Sequence, residues 1–264
     1  MQQAHDFLEE CETLAKALET LDDADWSRPT QFKDWTFNDV LVHLHFWNTA
    51  ADRAAVKPDD SADMWADIAK GLNAGSLRAF ENARVSERGV DLFALWQTTY
   101  RDMADRWARF DPKMRVKWVG PDMSVRSSMT ARQMETWAHG QEVFDTLGLA
   151  RAEGDRIRNV VILGVNTFGW TFKVNGQDAP GAMPALALTA PSGALWEFGE
   201  DDGTNTISGS AVEFAQVVTQ TRNVADTSLE VRGPVATAWM TLAQCFAGPP
   251  ETPPAPGTRG PSAA

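Results

Sequence analysis

Residues 34–44 read DWTFNDVLVHL, and this stretch contains a clear local signal for the start of a helix. Thr36 and Asp39 have the spacing of a capping box, with Thr36 as the N-cap and Asp39 three residues into the helix. At about 100° per residue, His43 lies beside the apolar stripe of this helix, whereas His45 points further away. The stretch therefore predicts a helix that carries an inward-facing histidine.

A second segment, METWAHG, places Glu135 and His139 four residues apart. On a helix this spacing puts both side chains on one face, roughly one turn apart. Two imidazoles and a carboxylate suit zinc or a similar first-row divalent ion, and three protein ligands leave one coordination position open. His43 is the candidate third ligand, and His45 is its alternative. The competing interpretation is a surface Glu–His pair together with one buried, hydrogen-bonded histidine.

The composition predicts a globular protein that acts on a small molecule. The chain has 264 residues, of which 43% are hydrophobic and 23% are charged, enough for a packed core. A net charge of -12 argues against non-specific binding to nucleic acids or to anionic membranes. The chain start lacks the features of a signal peptide, and no apolar stretch could span a membrane, so we expect a cytoplasmic location. Cys11 and Cys245 form no CxxC motif, and both are expected to be structural.

The order of periodic segments predicts an α+β protein. Helical spacing dominates the first part, and short alternating segments separated by turn residues follow Gly176. We expect residues 1–175 to form a helical bundle, 176–247 a small α+β domain, and the proline-rich tail 248–264 to be disordered. One helix is expected to start at Thr36 and to bury Val40, Leu44 and Trp47. The other helices are expected over 4–22, 60–84, 88–110, 129–147, 155–173, 210–221 and 234–246, and the strands over 184–189, 194–198, 204–209 and 228–231.

Residues 26–30 (WSRPT) and 34–44, together with the later Glu135 and His139, carry a family resemblance. They resemble the N-terminal domain of the mycothiol-dependent maleylpyruvate isomerases, within the DinB/YfiT-like metalloprotein superfamily. The strand-rich region is similar to the C-terminal domain of that family. The resemblance covers most of residues 5–246 and implies a DinB-like four-helix bundle with a divalent metal at one end. It maps the metal ligands onto His43, Glu135 and His139.

The chemistry that the resemblance implies is activation of a low-molecular-weight thiol, such as mycothiol or glutathione. The thiolate would add to an electrophilic small molecule, an unsaturated carboxylic acid being one candidate, or displace a leaving group from it. The enzyme would therefore be an isomerase or an S-transferase. The resemblance also implies a catalytic arginine on the C-terminal domain, which maps onto Arg222. Here Thr221 precedes that arginine, where the family usually has glycine.

Several alternatives stay open at the level of the sequence. The same metal ligands would suit a non-catalytic protein that binds a small molecule or serves a stress response. A metal-activated water would need a general base, for which Asp39 is a candidate, but Asp39 could instead accept a hydrogen bond from His43. Trp35, Trp47 and Trp137 are expected to pack the bundle rather than to stack on a substrate. The sequence is compatible with a monomer or a homodimer.

Overall fold

The computed structural model of the protein describes residues 1–73, 75–200 and 203–262. The chain forms two compact units, Met1–Val143 and Phe144–Ala264. The α+β class predicted from the sequence is confirmed. Among the described residues, none of the helices is long and apolar enough to cross a membrane.

The described residues of the first unit form four long helices, two short helices and a small hairpin. Helix α5 (Gly89–Ala108) packs against both α1 (Gln2–Leu18) and α2 (Phe37–Val56). The Sγ atom of Cys11 on α1 lies 3.9 Å from Oγ1 of Thr136 on α6 (Val125–Leu147). Large side chains such as Trp96, Trp107 and Trp137 are fully buried between the helices. Each contributes a few kcal/mol of hydrophobic stabilisation, by the usual ~25 cal/mol per Å² of apolar surface. The elements are α1 (Gln2–Leu18), α2 (Phe37–Val56), α3 (Ala62–Asn73), α4 (Leu77–Asn82), α5 (Gly89–Ala108), β1 (Arg115–Val116), β2 (Met123–Ser124) and α6 (Val125–Leu147), which continues past the unit boundary.

Helix α2 begins where the sequence predicted, with a complete capping box. The Thr36 hydroxyl accepts a hydrogen bond from the backbone N–H of Asp39, and the Asp39 carboxylate accepts one from the backbone N–H of Thr36. Asp39 also accepts a hydrogen bond of 2.7 Å from the side chain of Asn82, which ties α4 to the start of α2. The cap thus fixes where α2 begins and, with it, the face on which His43 lies.

Residues 60–84 form two helices rather than the single helix that was predicted. The φ angle of Gly75 is +131°, which a helix does not allow, and Ser76 caps a new helix by accepting a hydrogen bond from the backbone N–H of Ala79. The break allows α4 to turn back and place Glu81 against α2. Residues 155–173 are likewise divided into two helices, which meet at Thr167.

In the second unit, the residues that the structure describes form a four-stranded sheet and four helices. The strands, in their order across the sheet, are β4 (Leu195–Phe198), β3 (Ala185–Thr189), β5 (Thr206–Ser210) and β6 (Glu230–Arg232). Strands β3 and β5 run parallel, and the two outer pairs are antiparallel. Phe168 and Phe214 both pack edge-to-face on Trp239, with ring centroids 5.0 and 5.7 Å apart. The elements are α7 (Arg158–Asn166), α8 (Phe168–Val174), β3 (Ala185–Thr189), β4 (Leu195–Phe198), β5 (Thr206–Ser210), α9 (Ala211–Val218), β6 (Glu230–Arg232) and α10 (Pro234–Leu242).

The structure divides the chain at a different position from the boundary predicted near residue 175. Helices α7 and α8 belong to the second unit, because α7 packs on α9 and α8 packs on α10. Helical periodicity alone could not assign them, since it shows which face of a helix is buried but not against which partner.

Residues 248–262 also differ from the sequence-based expectation, which was disorder. The side-chain amide of Gln220 donates to the carbonyl of Glu251, and the amide of Asn223 donates to the carbonyl of Pro254. The backbone N–H of Gly257 donates to the carboxylate of Asp226. Proline removes backbone donors but leaves the carbonyl acceptors, so a proline-rich segment can be held by donors from the folded unit. Residues 263 and 264 of the predicted tail lie outside the described residues.

Candidate metal centre

The structure brings His43, Glu135 and His139 together in the first unit. Oε2 of Glu135 lies 3.4 Å from Nε2 of His43 and 3.5 Å from Nε2 of His139, and the three donor atoms all lie within 4.8 Å of one another. Tetrahedral zinc with bonds of about 2.0–2.2 Å places neighbouring ligand atoms roughly 3.3–3.6 Å apart. The two separations to Glu135 therefore fit the geometry of a divalent metal, and the donor types fit zinc.

Glu81 is the buried partner of His43, and no local pattern in the sequence predicted this contact. Oε1 of Glu81 accepts a hydrogen bond of 2.9 Å from Nδ1–H of His43 and another of 2.5 Å from Nε1–H of Trp47. Because Nδ1 is used in this way, Nε2 of His43 is the nitrogen directed toward Glu135 and His139. The suggestion that Asp39 accepts this hydrogen bond is wrong, since its carboxylate is engaged by Thr36 and Asn82.

The two histidines have opposite electrostatic environments. Burial acts to lower the pKa of His43, but the carboxylates of Glu81 and Glu135 outweigh it and raise that pKa to about 9. Burial lowers the pKa of His139, and the neighbouring His43 acts in the same direction. Burial acts to raise the pKa of Glu135, but both histidines and Arg132 outweigh it and hold that pKa well below its usual value. At neutral pH, without a metal, His43 is therefore charged and His139 is neutral.

Aromatic side chains pack against the two imidazoles. The indole of Trp35 stacks on the His139 ring with an interplanar angle of 2° and a centroid distance of 5.4 Å, and Phe32 meets the same ring edge-on at 5.2 Å. Lys33 and Asp34, between these aromatics, have φ angles of 51° and 55°, and the backbone N–H of Trp35 donates to the carbonyl of Phe32. Two consecutive positive φ values are the signature of a type I′ turn, a costly conformation for residues other than glycine. The turn brings both rings onto His139.

Of the three tryptophans that were expected to pack the bundle, two do so. Trp137 is fully buried in the bundle. Trp47 is also buried, but it contributes a hydrogen bond to Glu81 as well as packing. Trp35 stacks on His139, so it belongs to the candidate metal centre itself.

His45 and the two cysteines lie apart from the cluster. His45, the alternative ligand, lines a cavity of about 250 Å³ between α2 and α3 and is not part of the donor cluster. Cys11 and Cys245 are both buried, and neither forms a disulfide among the described residues. Burial raises the pKa of the Cys11 thiol well above its usual value, so this side chain stays protonated at neutral pH.

Arg222 lies in the second unit, in a buried bidentate pair with Asp145. Its Nη1 and Nη2 atoms each donate to one carboxylate oxygen of Asp145 at 2.7 Å, and Nη1 also donates to the carbonyl of Thr221. Its part in binding a substrate stays a prediction.

Metal affinity should depend on pH through His43. Because its pKa is raised to about 9, a metal must displace a proton from His43 below that pH, and the association constant should rise about tenfold per pH unit between pH 7 and 9. Above about pH 9 this contribution levels off. Competition with a chelator, corrected for the chelator's own protonation, measures the slope. Glu81→Gln removes one of the two carboxylates that raise the pKa, so its plateau should begin at a lower pH. An identical pH profile in this variant would contradict the assignment.

The fold and the cluster define a class of protein, a helical bundle with a candidate metal centre followed by a small α+β unit. Residues 7–144 match the family model for the mycothiol maleylpyruvate isomerase N-terminal domain. The uncharacterized proteins Rv0036c and MT0041 of Mycobacterium tuberculosis are each 33% identical to this chain over 228 residues, which cover 85% of this chain and 87% of the relative. The chain therefore belongs to the mycothiol maleylpyruvate isomerase N-terminal domain family, as the sequence resemblance indicated.

A solved structure shares the fold at low sequence identity. The crystal structure of the mycothiol-dependent maleylpyruvate isomerase matches with a TM-score of 0.54 and 14% identity, covering 89% of this chain and 94% of that chain. At this sequence identity the match supports a shared fold and nothing further.

Proposed function

We propose that His43, Glu135 and His139 bind a divalent metal ion, with zinc as the first candidate. We further propose that the protein is an enzyme that activates a low-molecular-weight thiol for addition to an electrophilic small molecule, as an isomerase or an S-transferase. The observation that carries the proposal is the donor cluster, in which two imidazole nitrogens lie 3.4 and 3.5 Å from one carboxylate oxygen. When bound, a divalent ion held by two neutral imidazoles and one carboxylate supplies positive charge that favours the thiolate form of a thiol ligand.

Family membership supports the choice of thiol and substrate. The family model is named for mycothiol and maleylpyruvate, and the solved neighbour carries the same description. Mycothiol is therefore the first thiol to test, glutathione the second, and an unsaturated carboxylic acid is the first electrophile. Addition of the thiolate to the double bond turns it into a single bond that can rotate, and elimination then returns the thiol unchanged.

The residues around the donor cluster have different proposed roles. Glu81 holds the His43 ring in one orientation and one tautomer. Trp35 and Phe32 cover the His139 ring and restrict its rotation. Cys11 is not the nucleophile, because it is fully buried and its thiol stays protonated.

For Arg222 we propose a role in binding the substrate carboxylate. Its hydrogen bonds to Asp145 and Thr221 use three of the five N–H donors of a guanidinium. Counted over the described part of the chain, two donors remain for a ligand. Asp145 would then hold the guanidinium in a fixed orientation.

Metal analysis followed by turnover assays tests the proposed function. We expect about one metal ion per chain, and turnover of unsaturated acids or epoxides that requires both the metal and an added thiol. Activity should survive replacement of both Cys11 and Cys245 by alanine, since neither has the exposed, electropositive setting of a reactive thiol. Turnover without added thiol, or its loss in a folded variant that lacks either cysteine, would contradict the proposal.

The second candidate is a non-catalytic protein that binds a metal and a small molecule. The observation that favours it is the Asp145 carboxylate, which already occupies the guanidinium face of Arg222. Binding of metal and thiol without turnover of any electrophile in the panel would support this alternative. A hydrolytic function is less well supported, because Asp39, its candidate general base, is engaged in the helix cap and with Asn82.

A further inference from the structure

Arg132 lies one turn before Glu135 on α6 and is almost completely buried, with 4% of its side chain exposed. Its guanidinium lies 5.5 Å from the centre of the Trp118 ring, and Nη2 is 3.9 Å from Oε1 of Glu135. Nη1 is buried and has no hydrogen-bond partner among the residues that the structure describes. A buried guanidinium with one long ion-pair contact and an unsatisfied nitrogen is unfavourable for stability. Stability therefore does not explain the presence of this arginine.

The two carboxylate oxygens of Glu135 face different partners. Oε2 faces Nε2 of His43 and Nε2 of His139, at 3.4 and 3.5 Å, whereas Oε1 faces Arg132. The arginine thus attracts one oxygen away from the two imidazoles and leaves the other to the donor cluster. This arrangement favours metal binding by Glu135 through a single carboxylate oxygen, Oε2.

Arg132 also adds a positive charge beside the donor cluster. The cluster is surrounded by the buried carboxylate of Glu81, the partly exposed carboxylate of Glu135 and the buried guanidinium of Arg132. With both histidines neutral, the two carboxylates would cancel the charge of a bound divalent ion, and Arg132 would leave the centre with a single positive charge. One monoanionic ligand would neutralise that charge, whereas a neutral ligand would not.

We infer that Arg132 is a positioning residue that makes the metal centre select a monoanionic ligand, such as a thiolate or a carboxylate, over a neutral one. This inference rests on the proposed function, because it requires the three-residue cluster to hold a divalent ion. Arg132 acts through Glu135 and through the local electrostatic field, and it need not touch the ligand. The centre would then be suited to a thiol that binds as its thiolate.

Ligand titrations of the cobalt-loaded protein, followed by visible absorption at fixed pH and ionic strength, test this inference. Azide serves as the monoanionic probe and imidazole as the neutral probe. Arg132→Gln should raise the dissociation constant of azide about tenfold or more and change that of imidazole less than about twofold, because only the anion loses a charge interaction in a low-dielectric setting. Arg132→Lys, which keeps the charge, should restore most of the azide affinity. Glu81→Gln, which removes a negative charge, should tighten azide binding.

Each outcome bears on a separate claim. If the unchanged protein binds no cobalt, the proposed function fails and the inference fails with it. If cobalt binds but azide affinity is the same in Arg132→Gln as in the unchanged protein, only the inference is overturned. Equal weakening of azide binding in Arg132→Lys and Arg132→Gln overturns it too, because charge would then not be the cause. If Arg132→Gln does not retain cobalt, Glu81→Gln carries the test, and weaker azide binding in that variant contradicts the inference.

Discussion

Glu135→Gln and His139→Ala should each reduce the zinc content of the purified protein from about one ion per chain to near zero. Each change removes one of three donors, and the two that remain do not form a site that retains zinc through purification. His43→Ala should have the same effect. Metal analysis by mass spectrometry measures the content, and circular dichroism checks that the helical bundle is retained.

His45→Ala is the matched control for the histidine variants. It removes an imidazole from the same helix as His43, but His45 lines the separate cavity between α2 and α3. The zinc content of this variant should be unchanged. Full zinc content in a folded Glu135→Gln or His139→Ala variant would show that the cluster is not the metal site.

Asp145→Leu should lower the free energy of unfolding by about 3–5 kcal/mol, which is the usual effect of leaving a buried charge without its partner. Asp145 and Arg222 are both buried, with 2% and 10% of their side chains exposed, and their bidentate contact is 2.7 Å at each oxygen. Removal of the carboxylate leaves the guanidinium of Arg222 buried without a partner of opposite charge. Denaturant unfolding of the full chain, followed by circular dichroism, measures the change.

Two further variants separate the cause of that destabilisation. Asp145→Leu combined with Arg222→Met removes both charges and should recover most of the lost stability. Glu230→Gln breaks an exposed pair with Arg232 and should change the stability by less than about 1 kcal/mol. If Asp145→Leu cost no more than this exposed control, the buried pair would not be a major support of the second unit.

The sequence predicted those features of the site that depend on neighbours along one helix. The capping box of Thr36 and Asp39 is a contact over three residues, and the spacing of Glu135 and His139 is one helical turn. Both are local, so the sequence pattern contains all the geometry needed. For the third ligand the sequence offered His43 with His45 as its alternative, and the family resemblance favoured His43; local spacing could not decide this, because the two segments are far apart in the chain.

The features that the sequence did not predict depend on tertiary contacts. Glu81 lies 38 positions after His43 in the sequence. It contacts this histidine because helix α3 ends before Gly75, whose φ angle is positive, and α4 then runs back toward α2. Asp39 was a candidate partner because it is one turn from His43, but the helix cap and Asn82 use its carboxylate. Composition also did not predict the contacts of residues 248–262. It counts the prolines of this segment but does not show which donors of the folded unit bind the carbonyls of the segment.

X-ray absorption at the zinc edge of the zinc-loaded protein, recorded without added thiol, tests the central claim most directly. His43, Glu135 and His139 should give a shell of nitrogen and oxygen atoms at about 2.0–2.2 Å, with the multiple-scattering pattern of two imidazoles. A zinc spectrum with sulfur at about 2.3 Å, or without imidazole scattering, would contradict the claim.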